Sequence, residues 1–301
     1  MMEPMSPRKR MFYFIFFVVL FIVAVPTVIF FAMGYRFDFT QNLVSERGGL
    51  YVFSQVPGTE IYVNDEFVEE TGIFNREYDT QSLVPDIYTV RVYHDDYLPW
   101  EKRVMIEPQQ VTSLYPFLFP QEITWQEITP MATSTSDMGT TTEIEMIPNE
   151  KYDELVSLFD IEEEKDVIQD TRATSTQDVE AEILTRVFGD IEVWHDENSF
   201  YARWTGRGDW MPSYFCEDEC QNPLVFLMTD SPVTNFEFYP GRDDVVIYSV
   251  EQGGVYVVEV DKREIQTHIT LREGNGIEFM LLDNNIVIRE GEYIATLDLS
   301  Y

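Results

Sequence analysis

An uncharged run near the N-terminus constrains this chain more than any other feature. Residues 11–33, MFYFIFFVVLFIVAVPTVIFFAM, contain no charged side chain and follow directly after Arg8, Lys9 and Arg10. A helix of this length rises roughly 1.5 Å per residue and crosses a hydrocarbon core about 30 Å thick. A single proline, here Pro26, is tolerated in such a helix. The run therefore predicts a transmembrane helix over residues 11–33.

The basic cluster predicts how this helix is oriented. By the positive-inside rule, residues 1–10 form a cytoplasmic basic tail and the bulk of the chain is extracytoplasmic. A cleaved signal peptide is the alternative, with Ala32-Met33-Gly34 as its cleavage site. However, the apolar run exceeds the usual signal-peptide core of roughly 7–15 residues. We therefore predict a single-pass anchor in the cell membrane, followed by a stalk over residues 34–47.

The net charge restricts the partners of the exported part. The 301 residues carry a formal net charge of −34, nearly all of it after the apolar run. Nucleic-acid phosphates and anionic lipid surfaces both attract lysine and arginine. The charge therefore argues against nucleic acid as a partner and against a chain lying flat on such a membrane. We interpret it mainly as a source of solubility and self-repulsion, with a cationic partner or a high-salt habitat as the alternatives.

Residues 48–119 have the alternation of a small β-domain. GGLYVFSQVPGTEIYVNDEFV and PDIYTVRVYHDDYLPWEKRVMIEP alternate apolar and polar residues between turn signals. They resemble the PEGA domain, a small β-module of many bacterial surface proteins. Its pattern has a first strand, Ser-x-Pro-x-Gly-Ala, a strand ending in Asp-Gly, Pro-Gly-x-Tyr-x-Val, Gly-Tyr-x-x-Trp and Val-x-Val-x-Pro. The matching positions are Ser54, Gly58, Ile61, Val63, Pro85, Tyr88, Val90, Tyr97, Trp100, Val104, Ile106 and Pro108.

Three departures from the PEGA pattern concern its turns. Residues 56–59, Val-Pro-Gly-Thr, replace the signature tetrad, and Asp65, Asp86 and Asp96 stand where the family has glycine. Asn and Asp tolerate left-handed backbone positions, so we expect the turns to survive. The resemblance implies cell-surface attachment or contacts with proteins and glycans. It implies no catalytic residue.

Residues 120–190 read as an acidic, Ser/Thr-rich linker with one or two short helices. NEKYDELVSLFDIEEE predicts a helix capped by Asn149, with Tyr152, Leu155, Val156 and Phe159 on one face. DVEAEILTRVF predicts a second helix, capped by Asp178. Such helices either dock on a β-domain or contact a partner.

Residues 191–301 predict a C-terminal domain of antiparallel β repeats. Short apolar runs are separated by Gly, Asp and Asn turns at roughly 8–12-residue intervals, as in sandwiches and propellers. Two segments, starting at Asn235 and Ile277, repeat one propeller-like plan, and the region around Trp204 is a degenerate third copy. Three blades do not close a ring of roughly 4–8. The region is either an open stack of sheets or is completed by an extra strand such as residues 122–128.

The candidate site residues are few. Cys216 and Cys220 are the first and last residues of CEDEC, which forms either a disulfide clip or a metal-binding loop. The disulfide is favoured because zinc usually needs four N or S ligands and because exported proteins pair their cysteines. Trp210 is the best surface candidate for sugar or protein binding, with Tyr93 and Tyr97 beside it. Trp100 and Trp204 are expected in the core. We predict no catalytic residue, no cofactor and no metal site.

These patterns predict a mainly β, membrane-anchored cell-surface binding or scaffold protein of bacterial type that is not an enzyme. Its expected partner is an envelope protein or glycan. One alternative is an accessory subunit of an envelope complex. A less favoured alternative is a metal-dependent envelope enzyme that uses residues 216–220 and His195.

Overall fold

The structure is a computed structural model that describes residues 7–32, 35–38, 43–130, 144–171, 184–196, 198–207, 211–216 and 219–299. Within these residues the chain forms 22 strands and two α-helices, which confirms the prediction of a mainly β fold. The chain divides into two compact units. Unit 1 comprises residues 1–94 and 103–116, and unit 2 comprises residues 95–102 and 117–301.

Helix α1 (Pro7–Ala32) contains nearly all of the predicted apolar run. Proline suits the first turn of a helix because its missing N–H has no partner to lose there. Pro26 lies inside the helix, and the adjacent Thr27 hydroxyl donates a hydrogen bond to the carbonyl oxygen of Val23 at 2.8 Å. The helix is long and apolar enough to cross a membrane, as the sequence predicts.

Unit 1 contains a short hairpin and two sheets. Its strands are β1 (Tyr35–Asp38), β2 (Leu43–Glu46), β3 (Gly48–Phe53), β4 (Glu60–Val63), β5 (Glu66–Glu70), β6 (Glu77–Leu83), β7 (Ile87–Tyr93), β8 (Trp100–Met105) and β9 (Val111–Leu114). β1 pairs with β2. The sheets have the orders β6-β3-β9 and β5-β4-β7-β8, and β8 runs across the boundary between the units. Alternate residues of these strands form the core, among them Leu50, Val52, Ile61, Val90 and Val92.

Tight turns occupied by Asn and Asp connect two of the strand pairs. Asn64 and Asp65, between β4 and β5, have φ values of 50° and 64°. Asp283 and Asn284, in the later repeat, have φ values of 50° and 67°. Two successive left-handed residues form the turn that matches the twist of a hairpin. Asp65 therefore does adopt the backbone conformation for which the related pattern uses glycine.

Unit 2 consists of three sheets and one helix. Its elements are β10 (Gln126–Pro130), β11 (Ile144–Ile147), α2 (Asn149–Thr171), β12 (Thr185–Phe188), β13 (Ile191–Asp196), β14 (Ser199–Trp204), β15 (Leu224–Met228), β16 (Val233–Phe238), β17 (Val245–Val250), β18 (Gln252–Glu259), β19 (His268–Asn275), β20 (Glu278–Leu282), β21 (Asn285–Glu290) and β22 (Tyr293–Asp298). Sheet A has the order β12-β13-β14-β15, and sheet B has the order β16-β17-β18-β19. Sheet C has the order β11-β10-β22-β21-β20.

Each sheet of unit 2 is built around an antiparallel meander of consecutive strands. Sheet C is completed by β10, which comes from a distant part of the chain and pairs with β22 through Gln126 and Glu127. This strand overlaps the 122–128 segment that the sequence offers as an extra strand. β11 then pairs with β10 in parallel.

The faces of sheets A and B share one apolar core. Val193 and Phe200 of sheet A and Phe236, Tyr248 and Val258 of sheet B are almost completely buried in it. On β13, β14 and β16 the buried residues alternate with half-buried neighbours, which is the period-2 pattern of a sheet with one covered face. On β17 every residue is buried, and so are both neighbours of Val258 on β18, so the middle of sheet B is covered on both faces. The predicted repeats are thus packed sheets that stabilise one another.

Part of the predicted linker is packed structure in unit 2. Helix α2 begins at Asn149, as predicted, and its Leu155 and Phe159 pack on Ile128, Met280 and Val287 of sheet C. Of the two alternatives for this helix, the structure therefore shows docking on a β-sheet. The second predicted helix differs, because residues 185–188 form strand β12 instead and pair with β13. The beginning of that predicted helix lies outside the described residues.

Candidate interaction surface

The two faces of sheet A have different surroundings. Its inner face, which includes Val193 and Phe200, is buried against sheet B. Its outer face carries Val187, Trp194 and Tyr201, and the side chain of Val187 is 63% exposed while the two rings are half-buried. At the opposite end of unit 2, helix α2 covers the corresponding face of sheet C. Among the described residues, the outer face of sheet A is thus a partly exposed surface that combines apolar, aromatic and charged side chains.

Three side chains form an aromatic ridge on this outer face: Trp194, Tyr201 and Arg203. Trp194 on β13 and Tyr201 on β14 are direct cross-strand partners, and their rings are parallel to within 8° with centroids 5.5 Å apart. The guanidinium carbon of Arg203 lies 4.8 Å from the centroid of the Trp194 ring. Such aromatic and cation–π pairs each contribute roughly 0.5–1.5 kcal/mol and hold the side chains in place.

Two carboxylates hold the ends of the aromatic ridge. Arg203 Nη1 lies 3.3 Å from Glu192 Oε2, and the Tyr201 hydroxyl donates to Asp196 Oδ2 at 3.3 Å. Because the side chains are already ordered, binding a partner here costs little further side-chain entropy. Trp, Tyr and Arg are also the residues that dominate the energetics of protein interfaces.

A groove lies where β12 of sheet A, β16 of sheet B and β20 of sheet C come together. It encloses about 420 Å³ and is lined by the ends of β12, β16 and β20, with Phe188, Phe238 and Leu281 on its apolar side. Arg186 Nε lies 2.6 Å from Glu237 Oε1 at its polar side. The volume suits a small ligand or a peptide side chain.

A buried polar cluster joins residues 95–102 to sheet B within unit 2. Lys102 is fully buried, and its Nζ lies 3.1 Å from Glu259 Oε2 and donates to the carbonyl oxygen of Asp261 at 2.7 Å. Trp100 Nε1 donates to the other carboxylate oxygen of Glu259 at 2.8 Å. Burial raises the pKa of Glu259, and the neighbouring Lys102 opposes that shift. Because both charged groups are enclosed, this cluster stabilises the fold and offers no surface to a ligand.

The predicted cysteine pair is a disulfide in the structure. Cys216 and Cys220 are bonded, and the loop that they close follows a short 3₁₀ turn over Ser213–Phe215. Within the described ranges, no group of three or more His, Cys, Asp and Glu side chains is arranged to hold a metal ion. The local geometry is that of a clip next to β15.

The structure describes two of the three predicted surface aromatics, Tyr93 and Tyr97. Tyr93 ends β7 in unit 1 and is 40% exposed, while Tyr97 belongs to unit 2 and is half-buried. Trp210 lies outside the described residues. Trp100 is 3% exposed, as expected for a core residue, and Trp204 packs against the core of sheets A and B.

His195, the histidine of the alternative enzyme hypothesis, lies within a strand. It lies on β13, with its ring 5.4 Å from Phe236 and 5.7 Å from Phe200. Burial lowers its pKa, and its Nδ1 atom is the one buried side-chain N or O without a hydrogen-bond partner in the described part of the chain. His195 is thus a half-buried histidine packed against two phenylalanines at the edge of the core, and it belongs to no group of three or more metal-ligating side chains among the described residues.

The aromatic ridge was missed by sequence reasoning, although its signal is present. IEVWHD and SFYARW alternate, and pairing Asp196 with Ser199 places Trp194 opposite Tyr201. The position of Trp210 in a Gly-rich loop favours that residue instead. The sequence matches no protein-family model, and no curated protein is significantly similar to it.

Proposed function

We propose that this chain is a membrane-anchored, non-catalytic binding or scaffold protein of a bacterial-type cell surface. The observation that carries the proposal is the aromatic ridge. A stacked Trp, Tyr and Arg on an open sheet face has the composition of an interface hot spot. The partner is an envelope protein or glycan that covers the outer face of sheet A.

The architecture of the proposal has two parts. Residues 48–119 act as a PEGA-like sandwich near the membrane; the support is that β3, β4, β7 and β8 coincide with the strands of that pattern. Sheets A, B and C act as a propeller-like fan; the support is the repeated meander and the proximity of β16 to both β12 and β20. The positive-inside rule supports an N-terminus in the cytoplasm and the two units outside.

The test is affinity capture with the full chain from gently solubilised membranes, with protein and glycan fractions analysed separately. The double variant Trp194→Ala/Tyr201→Ala is compared with the wild type and with Phe67→Ala, which removes an exposed ring from unit 1. We expect the ridge variant to reduce recovery of the wild-type partner by at least about tenfold, since hot-spot side chains contribute about 2 kcal/mol or more each. The Phe67→Ala variant should retain that partner.

Two results would contradict the proposal. Equal recovery of the partner by the ridge variant and the wild type would show that sheet A is not the binding face. Stoichiometric metal in the purified chain, together with no recovered partner, would favour the envelope enzyme instead.

A further inference from the structure

The loop between β5 and β6 presents two bulky apolar side chains to solvent. Ile73 is 72% exposed, and Phe74, at 102%, is the most exposed large apolar side chain in the described residues. Ile73 and Phe74 together form the apolar tip of this loop. Burying one such side chain stabilises a fold or a complex by roughly 1.5–3 kcal/mol. Isolated exposed apolar residues are common, but an adjacent pair at the end of a loop forms a continuous apolar knob.

The base of this loop is held by a buried network of hydroxyl groups. Ser54, Thr59 and Thr71 are almost completely buried, and the Ser54 and Thr59 hydroxyl oxygens lie 3.1 Å apart. The hydroxyls of Thr59 and Thr71 both donate to the carbonyl oxygen of Val56, at 2.7 and 3.0 Å. The backbone N–H of Thr59 donates to Thr71 Oγ1 at 2.9 Å. A satisfied buried network of this kind specifies one conformation.

Backbone hydrogen bonds extend this order to the apolar tip. Thr71 N–H donates to the Thr59 carbonyl at 2.8 Å, and Ser54 N–H donates to the Arg76 carbonyl at 2.9 Å. Gly72 N–H donates to the Asn75 carbonyl at 2.7 Å, which closes the turn around Ile73 and Phe74. The tip is thus preorganised, and inserting it into a pocket costs little conformational entropy.

The charged residues beside the apolar tip indicate what kind of partner surface would fit around it. Glu70 and Glu77 flank the loop and are exposed, while the guanidinium of Arg76 donates to the carbonyl oxygen of Gln55 at 3.1 Å. The two carboxylates outnumber the one guanidinium, so the flanks carry a net negative charge and suit a partner surface with lysine or arginine. A second copy of this chain is a poor match because each copy carries a net charge of −34.

The direction of β3 separates the apolar tip from the place where the chain enters unit 1. Gly48 starts β3 directly after the stalk, whereas Phe53 pairs with Glu77 at the other end of the strand, next to the loop. Six residues of strand span roughly 17 Å. The tip lies beyond the far end of β3, and its acidic flanks disfavour an anionic lipid surface. A protein partner fits both observations better than the bilayer does.

We infer that the apolar tip, Ile73 and Phe74, inserts into an apolar pocket rimmed by lysine or arginine on a partner protein. This inference rests on the proposed function, since it adds a second contact to a binding or scaffold protein. The tip is distinct from the aromatic ridge, so the two surfaces can be tested separately.

The test places the photo-crosslinker p-benzoylphenylalanine at position 74 of the full chain in its native membrane. The same crosslinker at Phe67, an exposed ring on β5 of the same unit, is the control. We expect position 74, and not position 67, to give a discrete product with another protein, whose modified peptide is apolar and contains lysine or arginine. The charge-reversal variant Glu70→Lys/Glu77→Lys should lower its yield at least about fivefold. The matched variant Glu66→Lys/Glu107→Lys, with the same change of charge, should not.

Three results would overturn this inference: products with lipid only, products with a second copy only, or the same products at positions 67 and 74. Phe74→Ser removes the ring from a fully exposed position, so the variant should fold and lose the partner contact. If Trp194→Ala/Tyr201→Ala abolishes partner recovery while position 74 forms no product, the proposed function stands and the apolar tip has no part in it. If the tip forms its product while the ridge variant retains its partner, the chain binds a partner through the apolar tip and the aromatic ridge is not the binding face.

Discussion

Lys102 and Glu259 show the conditions under which charged residues are kept in a β core. Each has an opposite charge at 3.1 Å, and further donors and acceptors satisfy the remaining atoms, including Trp100 Nε1 and the carbonyl oxygen of Asp261. Removing one partner leaves the other charge buried and unpaired, which is far more costly than losing an exposed ion pair. The stability of unit 2 should therefore depend on this single lysine.

We predict that Lys102→Met lowers the free energy of unfolding by about 3–5 kcal/mol near neutral pH. The control is Arg91→Met, which breaks the exposed pair between Arg91 and Asp65 and should cost about 1 kcal/mol or less. Urea unfolding of the full chain in detergent, followed by tryptophan fluorescence, measures both. Equal effects of the two variants would show that the buried pair adds nothing to stability.

The cost of Lys102→Met should also depend on pH. Burial raises the pKa of Glu259, and without Lys102 that pKa rises further. A carboxyl group with a higher pKa in the folded chain binds its proton more tightly there, so its penalty is absent below the unfolded pKa of about 4.3. The penalty grows as the pH rises from the unfolded pKa to the folded pKa and is constant above it. The loss of stability at pH 8 should therefore exceed the loss at pH 5, and a loss independent of pH would point to another cause.

His195 should make the wild type less stable in mild acid. Burial lowers the pKa of His195, so the unfolded chain, with a pKa of about 6.5, takes up the proton more readily than the folded chain. Stability is then lost as the pH falls through the unfolded value. The variant His195→Phe fits between Phe200 and Phe236 and should weaken this loss between pH 7.5 and 5.5. Urea midpoints at the two pH values test this, and an unchanged difference would contradict it.

At the scale of the element, helix α2 shows which face of an acidic helix becomes buried. Its sequence is strongly acidic, yet Leu155 and Phe159 point at sheet C and are buried. Leu158 lies on the same helix and is 37% exposed. Burial of the first face is what attaches this acidic helix to the sheet, since helices in proteins gain most of their stability from packing.

We predict that Leu155→Ala costs about 2–5 kcal/mol, because it leaves a cavity between α2 and sheet C. The same substitution at the exposed position, Leu158→Ala, should cost about 1 kcal/mol or less. Hydrogen exchange of the β10 and β22 amides, together with urea unfolding, distinguishes the two variants. Comparable protection and stability in both would mean that α2 contributes no packing energy to the sheet.

At the scale of the whole molecule, the long apolar helix and the basic residues that precede it predict the membrane topology. We expect a membrane-impermeant maleimide to label Ser113→Cys in intact cells, since Ser113 is exposed in unit 1. Ser6→Cys, in the basic tail, should be labelled only after the cells are permeabilised. The native cysteines are bonded to each other and do not interfere. The reverse labelling pattern would place the two units in the cytoplasm.

Local chemistry settled some features of this molecule without any tertiary contact. Helix α1 follows from an uncharged run, which satisfies its own backbone whatever surrounds it. The hairpin at Asn64 and Asp65 follows from residue types that tolerate left-handed φ values. The strands follow from period-2 alternation, so the mainly β fold could be predicted, whereas residues 185–188 carried a helical pattern and joined a sheet instead.

Other features depend on which distant segments meet. Trp100 and Glu259 are 159 residues apart in the sequence, and no local pattern pairs them. The aromatic ridge required the register of β13 and β14, and the apolar tip required knowing that the fold leaves Phe74 uncovered. The sequence by itself determined the long apolar helix, most of the strands and the turns, because periodicity and backbone sterics act over a few residues. Only the tertiary structure decided which side chains are buried, which residues contact each other and which remain exposed, because these depend on surfaces contributed by remote parts of the chain.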